Sequence, residues 1–176
     1  MDCRGRRGDA AFSLLELGVA IFIIAILAVL ALPAYSKLHA RAQRVQCMAN
    51  LKNLSVAAEQ YVQQYGSWPQ ISLASESDSA LQDYALAWIA TLKPFNITEK
   101  TWICPTIQNL RGNPDYFQPE NARIDYAPMF FDDKPTTPHQ WPRQPWFIET
   151  GDVHGHGNLI IFTDGSISDL KSITGK

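Results

Sequence analysis

Residues 17–36 read LGVAIFIIAILAVLALPAYS, a run without a single charged side chain. At about 1.5 Å per helical residue it would extend roughly 30 Å, the thickness of a bilayer's hydrocarbon core. A helix in the core of a soluble domain would present a polar face at 3.6-residue spacing, and this run has none. It therefore predicts a membrane segment or an export signal. Arg4, Arg6 and Arg7 ahead of it, and Val29, Leu30 and Ala31 within it, loosely fit an ordinary secretory signal. The apolar core of such a signal is typically about 7 to 15 residues long, so length favours a retained segment.

The rest of the chain limits the other options. With 176 residues, 46% of them hydrophobic, there is room for one domain of ordinary size and a short appendage. The formal net charge is -2, from 15 Lys plus Arg against 17 Asp plus Glu, and no basic run is long enough to track phosphates. Nucleic acid is excluded as a partner on that ground. Eleven Pro, ten Gly and 11% aromatics indicate a folded, loop-rich domain rather than disorder.

Glu16 stands at the head of the apolar run, where a carboxylate is costly in lipid unless a cation or protein faces it. The stretch Ala11-Phe12-Ser13-Leu14-Leu15-Glu16-Leu17, behind a short hydrophilic leader with three Arg, resembles the processing site of type IV prepilins and type II secretion pseudopilins. The resemblance implies that a prepilin peptidase cuts between Ala11 and Phe12 and that Phe12 is N-methylated. Glu16 is then the fifth residue of the mature chain, where the family has its Glu. Pro33 is the twenty-second, where pilins also place a proline. The family usually has Gly before the cut, and this chain has Ala11.

Cutting there would create a cationic amino group one helical turn from Glu16. The two could pair within a chain; in pilins the Glu pairs with a neighbour's N-terminus, which would set register during assembly. The resemblance further implies other pilin or pseudopilin subunits as partners and an inner-membrane location. In that arrangement the chain crosses once, with the leader (1–11) cytoplasmic and the globular part extracytoplasmic. The basic residues on either side, including Lys37, Arg41, Arg44 and Lys52, do not by themselves decide that orientation.

Beyond Pro33 no Gly or Pro occurs until Gly66, and Cys47, Leu51, Leu54, Ala58, Tyr61 and Tyr65 recur at three- and four-residue spacing. One amphipathic helix (37–66) is expected to continue the assembly helix (12–36), loosened or bent at Pro33 and capped by Gly66. The phrase from Arg44 through Cys47 to Asn50-Leu51-Lys52 is similar to one branch of pilin-like proteins. In the globular part (67–176), residues 80–92 place Leu81, Tyr84, Ala85, Trp88 and Leu92 on one helical face. Residues 101–104, 124–131, 146–149 and 159–162 read as strands between Pro-rich loops. Asp164-Gly165 reads as a two-residue hairpin turn with positive φ at both positions. The expected fold is α+β and pilin-like: a long N-terminal helix, half of it transmembrane and half amphipathic, packed on a small antiparallel sheet.

Nine residues separate His154 from Asp164-Gly165. That spacing resembles the signature of a processing-associated pilin-like domain. Loop-anchoring hydrogen bonds are one role for His154; a metal site with His156 and Asp164 is another. Asp132-Asp133 lack the spacing of a calcium loop and read as solvated charges. Trp102, Trp141 and Trp146 could form a sugar-stacking platform or pack in the core. Cys3 would leave with the leader, so that Cys47 and Cys104 remain; they could bridge in an oxidising compartment or pack as small apolar residues.

No nucleophile elbow, phosphate-binding loop, His-Glu-x-x-His or Cys-x-x-Cys occurs. The expectation is a non-enzymatic filament subunit without a cofactor. The competing expectation is an anchored or secreted binding protein or hydrolase that uses His154, His156 and Asp164, with Glu149 and Asp152 nearby.

Overall fold

In the computed structural model, residues 14–112, 114–155 and 157–175 are described, apart from the side chains of Leu30, Ala31, Pro33 and Ala34. The leader, Ala11, Phe12 and His156 lie outside the described residues. The chain divides after His39 into two units, which are taken in turn.

Helix α1, Leu14–Tyr65, begins in the first unit and ends in the second. In the first unit its apolar side chains are bare, with Leu14, Leu15, Phe22, Ile24, Leu27, Val29 and Leu32 all exposed. The continuously described side chains of the apolar run stop at Val29. Among the described residues, no helix is long and apolar enough to cross a membrane.

In the second unit, α1 is amphipathic as its spacing predicts. Cys47, Leu51, Leu54, Ala58 and Val62 are buried along one stripe, while Lys52, Asn53 and Gln63 remain in solvent. Gly66 ends the helix at φ 76°, and its N–H donates to the Val62 carbonyl at 2.8 Å. Helix α2, Asp78–Leu92, starts two residues before its apolar periodicity, because the Ser77 hydroxyl accepts from the Ala80 N–H. The short helix α3, Pro105–Leu110, opens on a proline, whose missing N–H costs nothing at that position.

Strands β1 (Tyr126–Pro128), β2 (Pro145–Glu149), β3 (Leu159–Phe162) and β4 (Ile167–Asp169) form a four-stranded sheet in that order, every neighbour antiparallel. A short helix α4, Leu170–Thr174, follows. The α+β architecture, a long N-terminal helix with a small antiparallel sheet, is the one expected of a pilin-like chain. Between helix and sheet lies an aromatic core of Trp68, Trp88, Trp102, Trp146 and Phe147, whose rings meet at 5.3–6.5 Å between centroids.

Three expectations need correction. Residues 101–104 are not a strand: the Thr101 N–H turns back to the Thr98 carbonyl and the Ile103 N–H to Lys100, forming a 3-10 turn over Glu99–Trp102. The segment 124–131 forms a strand only over Tyr126–Pro128, with one further bond beyond it from the Met129 N–H to the Trp146 carbonyl at 2.8 Å. The hairpin after β3 has three loop residues rather than two. Phe162 and Ser166 close it, and Gly165 alone, at φ 74°, adopts the left-handed conformation. Of the two roles open to the tryptophans, Trp102 and Trp146 take the core one, while Trp141 is 61% exposed. Strand β4, the return strand that a hairpin at Asp164-Gly165 implies, is too short and polar for its bounds to stand out by pattern.

Candidate functional site

Along β2 successive side chains alternate between the two faces, so Glu149 shares the core-facing side with Phe147. A carboxylate is thereby directed into the aromatic core with 0% exposure. Tyr126 of β1 is directly opposite Glu149 in the ladder and is also fully buried. Cys47 arrives from the apolar stripe of α1. Cys104 stands just before Pro105, where its N–H donates to Asp125 Oδ2 at 2.9 Å. Asp125 is itself held by Arg123 Nε at 3.0 Å. His154 comes from the loop between β2 and β3.

These elements bring four side chains together. Cys47 and Cys104 are free thiols with sulfur atoms 3.0 Å apart. His154 Nε2 lies 3.2 Å from Glu149 Oε1 and 3.9 Å from Cys104 Sγ. One ligating atom from each of Cys47, Cys104, Glu149 and His154 falls within 4.8 Å of every other. Glu149 Oε2 has no hydrogen-bond partner among the described residues. Around this group, Asn50 Nδ2 donates to the Ile103 carbonyl at 3.1 Å and to the Tyr126 hydroxyl at 3.3 Å.

The electrostatics follow from burial and proximity. Burial, then the Cys104 sulfur beside it, pushes the Glu149 carboxyl up to about 7, against the pull of His154. The hydrogen bond from Cys47 holds the Cys104 thiol down, helped by the N–H groups of Ile107 and Thr106, while burial opposes it. Cys47, on the giving end of that bond, is raised by it and by its own burial. Tyr126 is raised, first by burial and then by Cys47. A thiol of lowered pKa near an imidazole has the composition of a nucleophilic pair. With both cysteines at 0% exposure, however, no substrate carbonyl could reach it.

The predicted ligands are distributed differently. His154 belongs to the buried group, His156 is outside the described residues, and Asp164 occupies the β3–β4 loop. There Asp164 Oδ1 accepts the Ser166 N–H at 2.8 Å, and Arg143 Nε is 3.8 Å away; the Ser166 side chain, then its N–H, holds the carboxyl below the usual range. The other half of the signature, Gly165, meets α1 directly: its carbonyl accepts Lys52 Nζ at 3.1 Å. Both ends of the His154-to-Gly165 stretch thus reach α1, one beside Cys47 and the other through Lys52. Sequence reasoning brought Cys47, Cys104 and His154 forward and placed Glu149 near His154, but not beside the two thiols, where the pairing of β1 with β2 brings it.

Comparison with known proteins gives partial likeness. No family model matches the chain, and no solved structure matches it. A type IV major pilin protein of Neisseria gonorrhoeae is 32% identical over 85 residues, which are 48% of this chain and 47% of that protein. A second type IV major pilin protein of the same organism is 39% identical over 59 residues, 34% of this chain and 36% of that protein. The chain thus spans about half the length, or less, of these curated relatives. The likeness supports a pilin-like relationship.

Proposed function

We propose that the chain is a structural subunit of a type IV pilus-like filament or type II secretion pseudopilus, cut by prepilin peptidase before Phe12, N-methylated there and assembled through α1. The observation that carries this reading is the partial identity to type IV major pilins, borne by a chain whose first element is a 52-residue helix. The exposed apolar side chains of residues 14–29 support it physically. A bare surface of that size is unstable in water and must be covered by lipid or by copies of the same helix. Glu16 gives such packing a register, because a carboxylate among apolar helices is stable only where a cation meets it.

On this reading the chain is held in the inner membrane by its N-terminal helix, with the leader cytoplasmic and the globular part outside. Other pilin-like subunits and the peptidase are its partners. The peptide mass of the N-terminus, measured on protein extracted from its host's membranes, tests the reading. A mature chain starting at methylated Phe12 is the expected result. An intact Met1, or a start near Leu32 or Tyr35, overturns it.

A further inference from the structure

The buried group of Cys47, Cys104, Glu149 and His154 has a chemistry that filament assembly does not use. Glu149 is enclosed with one carboxylate oxygen on His154 and the other without a hydrogen-bond partner among the described residues. A carboxyl removed from water must keep its proton or be matched by a cation. The same His154 nitrogen, Nε2, also lies 3.9 Å from the Cys104 sulfur, so that carboxylate, imidazole and thiol converge on one point. We propose that these four side chains form a tetrahedral site for a thiophilic divalent cation, zinc, which fastens α1 to the sheet.

The geometry fits a small ion. Bonds of about 2.3 Å to sulfur and about 2.0–2.2 Å to nitrogen and oxygen put tetrahedral ligand atoms roughly 3.3–3.8 Å apart. The spacings of 3.2 Å and 3.9 Å already lie at that scale. The sulfurs, 3.0 Å apart, need to separate only slightly.

The ligand types choose the metal. Two thiolates and an imidazole are too soft for magnesium or calcium, and one carboxylate beside them suits zinc. All four protein ligands close the coordination shell, as in structural rather than catalytic sites. An outer shell is also present: the Tyr126 hydroxyl addresses Cys47, the N–H groups of Ile107 and Thr106 address Cys104, and Asn158 Nδ2 donates to the Glu149 carbonyl at 2.7 Å. The ligands come from α1, the turn before α3, the end of β2 and the following loop, so one ion would cross-link every layer of the domain.

Loading balances without a redox step. Each thiol gives its proton to solvent, the sulfurs, Glu149 oxygen and His154 nitrogen each donate an electron pair to the ion, and no electron changes hands. A Cys47–Cys104 disulfide would instead require an oxidant and would leave Glu149 Oε2 without a partner among the described residues.

The test uses the full chain, extracted in detergent, freed of any polyhistidine tag and offered zinc chloride before exhaustive dialysis. Elemental mass spectrometry should find about one zinc per chain, and Cys47→Ser or Cys104→Ser should reduce it at least tenfold. Asp164→Asn, whose contacts are with Ser166 and Arg143 and with none of the four ligands, should keep it. Should the cysteine variants fail to fold, cobalt added to the native chain gives an independent reading. Thiolate-to-cobalt charge-transfer absorption, and protection of both thiols from alkylation, are expected. The proposal is overturned if the native chain retains no zinc and its thiols alkylate equally with and without it, or if non-reducing peptide mapping finds Cys47 joined to Cys104. The N-terminal mass does not depend on metal content, so this inference and the filament reading can fail separately.

Discussion

Arg44 Nη2 donates to both carboxylate oxygens of Asp169, each at 2.7 Å, across 125 residues of sequence. The pair joins α1 to β4, the last strand of the sheet. With Lys52 on Gly165 and Cys47 beside the His154 loop, it makes three links from one stretch of α1 to the C-terminal hairpin and the loop leading into it. A charged hydrogen bond with two acceptors is stronger than an ordinary surface pair, but both partners are partly exposed. A double-mutant cycle with Arg44→Ala and Asp169→Ala, read by chemical denaturation, should give a coupling energy of about 1 kcal/mol. Strict additivity of the two changes would mean that the pair contributes nothing to docking of the hairpin.

Tryptophans of opposite placement should behave oppositely. Trp102 is fully buried against Trp88 and Phe147, so Trp102→Ala should cost about 3–5 kcal/mol of stability. Trp141 is exposed, and Trp141→Ala should shift stability by no more than about 0.5 kcal/mol. Thermal melts of the two variants check both. Similar losses in both would contradict the placement of the core.

The long helix was readable because its apolar spacing repeats over many turns without Gly or Pro. The stripe of Cys47, Leu51, Leu54 and Ala58 is buried as its periodicity requires. The short elements were harder. Ile103 and Cys104 look like the end of a strand by composition, but Pro105 commits the chain to α3 and the turn at Glu99–Trp102 consumes the N–H groups a ladder would need. The site was half legible for a related reason. Spacing in sequence singled out Cys47, Cys104 and His154, whereas their meeting with Glu149 depends on the register that sets Tyr126 against Glu149. Pairing register is long-range information that no local pattern holds.

Gly165 bears the only left-handed φ in the β3–β4 loop, at 74°. An added Cβ would carry a left-handed strain of about 1–2 kcal/mol and would press on Lys52 Nζ, the flexible end of a side chain that can move away. Gly165→Ala should therefore lower stability by about that amount, and Gly165→Asn by less, since Asn tolerates this conformation. Equal stability of Gly165→Ala and the native chain would show that the loop relaxes to another turn.

Glu16 separates two kinds of N-terminal helix. In a plain anchor the carboxylate only opposes insertion, and replacing it with Leu should leave the protein in the membrane with its globular part unchanged. In a filament the same carboxylate must meet a cationic N-terminus on a neighbour, so Glu16→Leu should remain membrane-bound yet fail to enter sheared fibres. Glu16→Asp, which keeps the charge on a shorter arm, should recover part of that assembly. Fractionation of host cells into membrane and sheared-fibre pools, followed by immunoblotting, reads both quantities. Fibres of Glu16→Leu in native amount would remove Glu16 from assembly, and the apolar packing of residues 14–29 would then have to set the register alone.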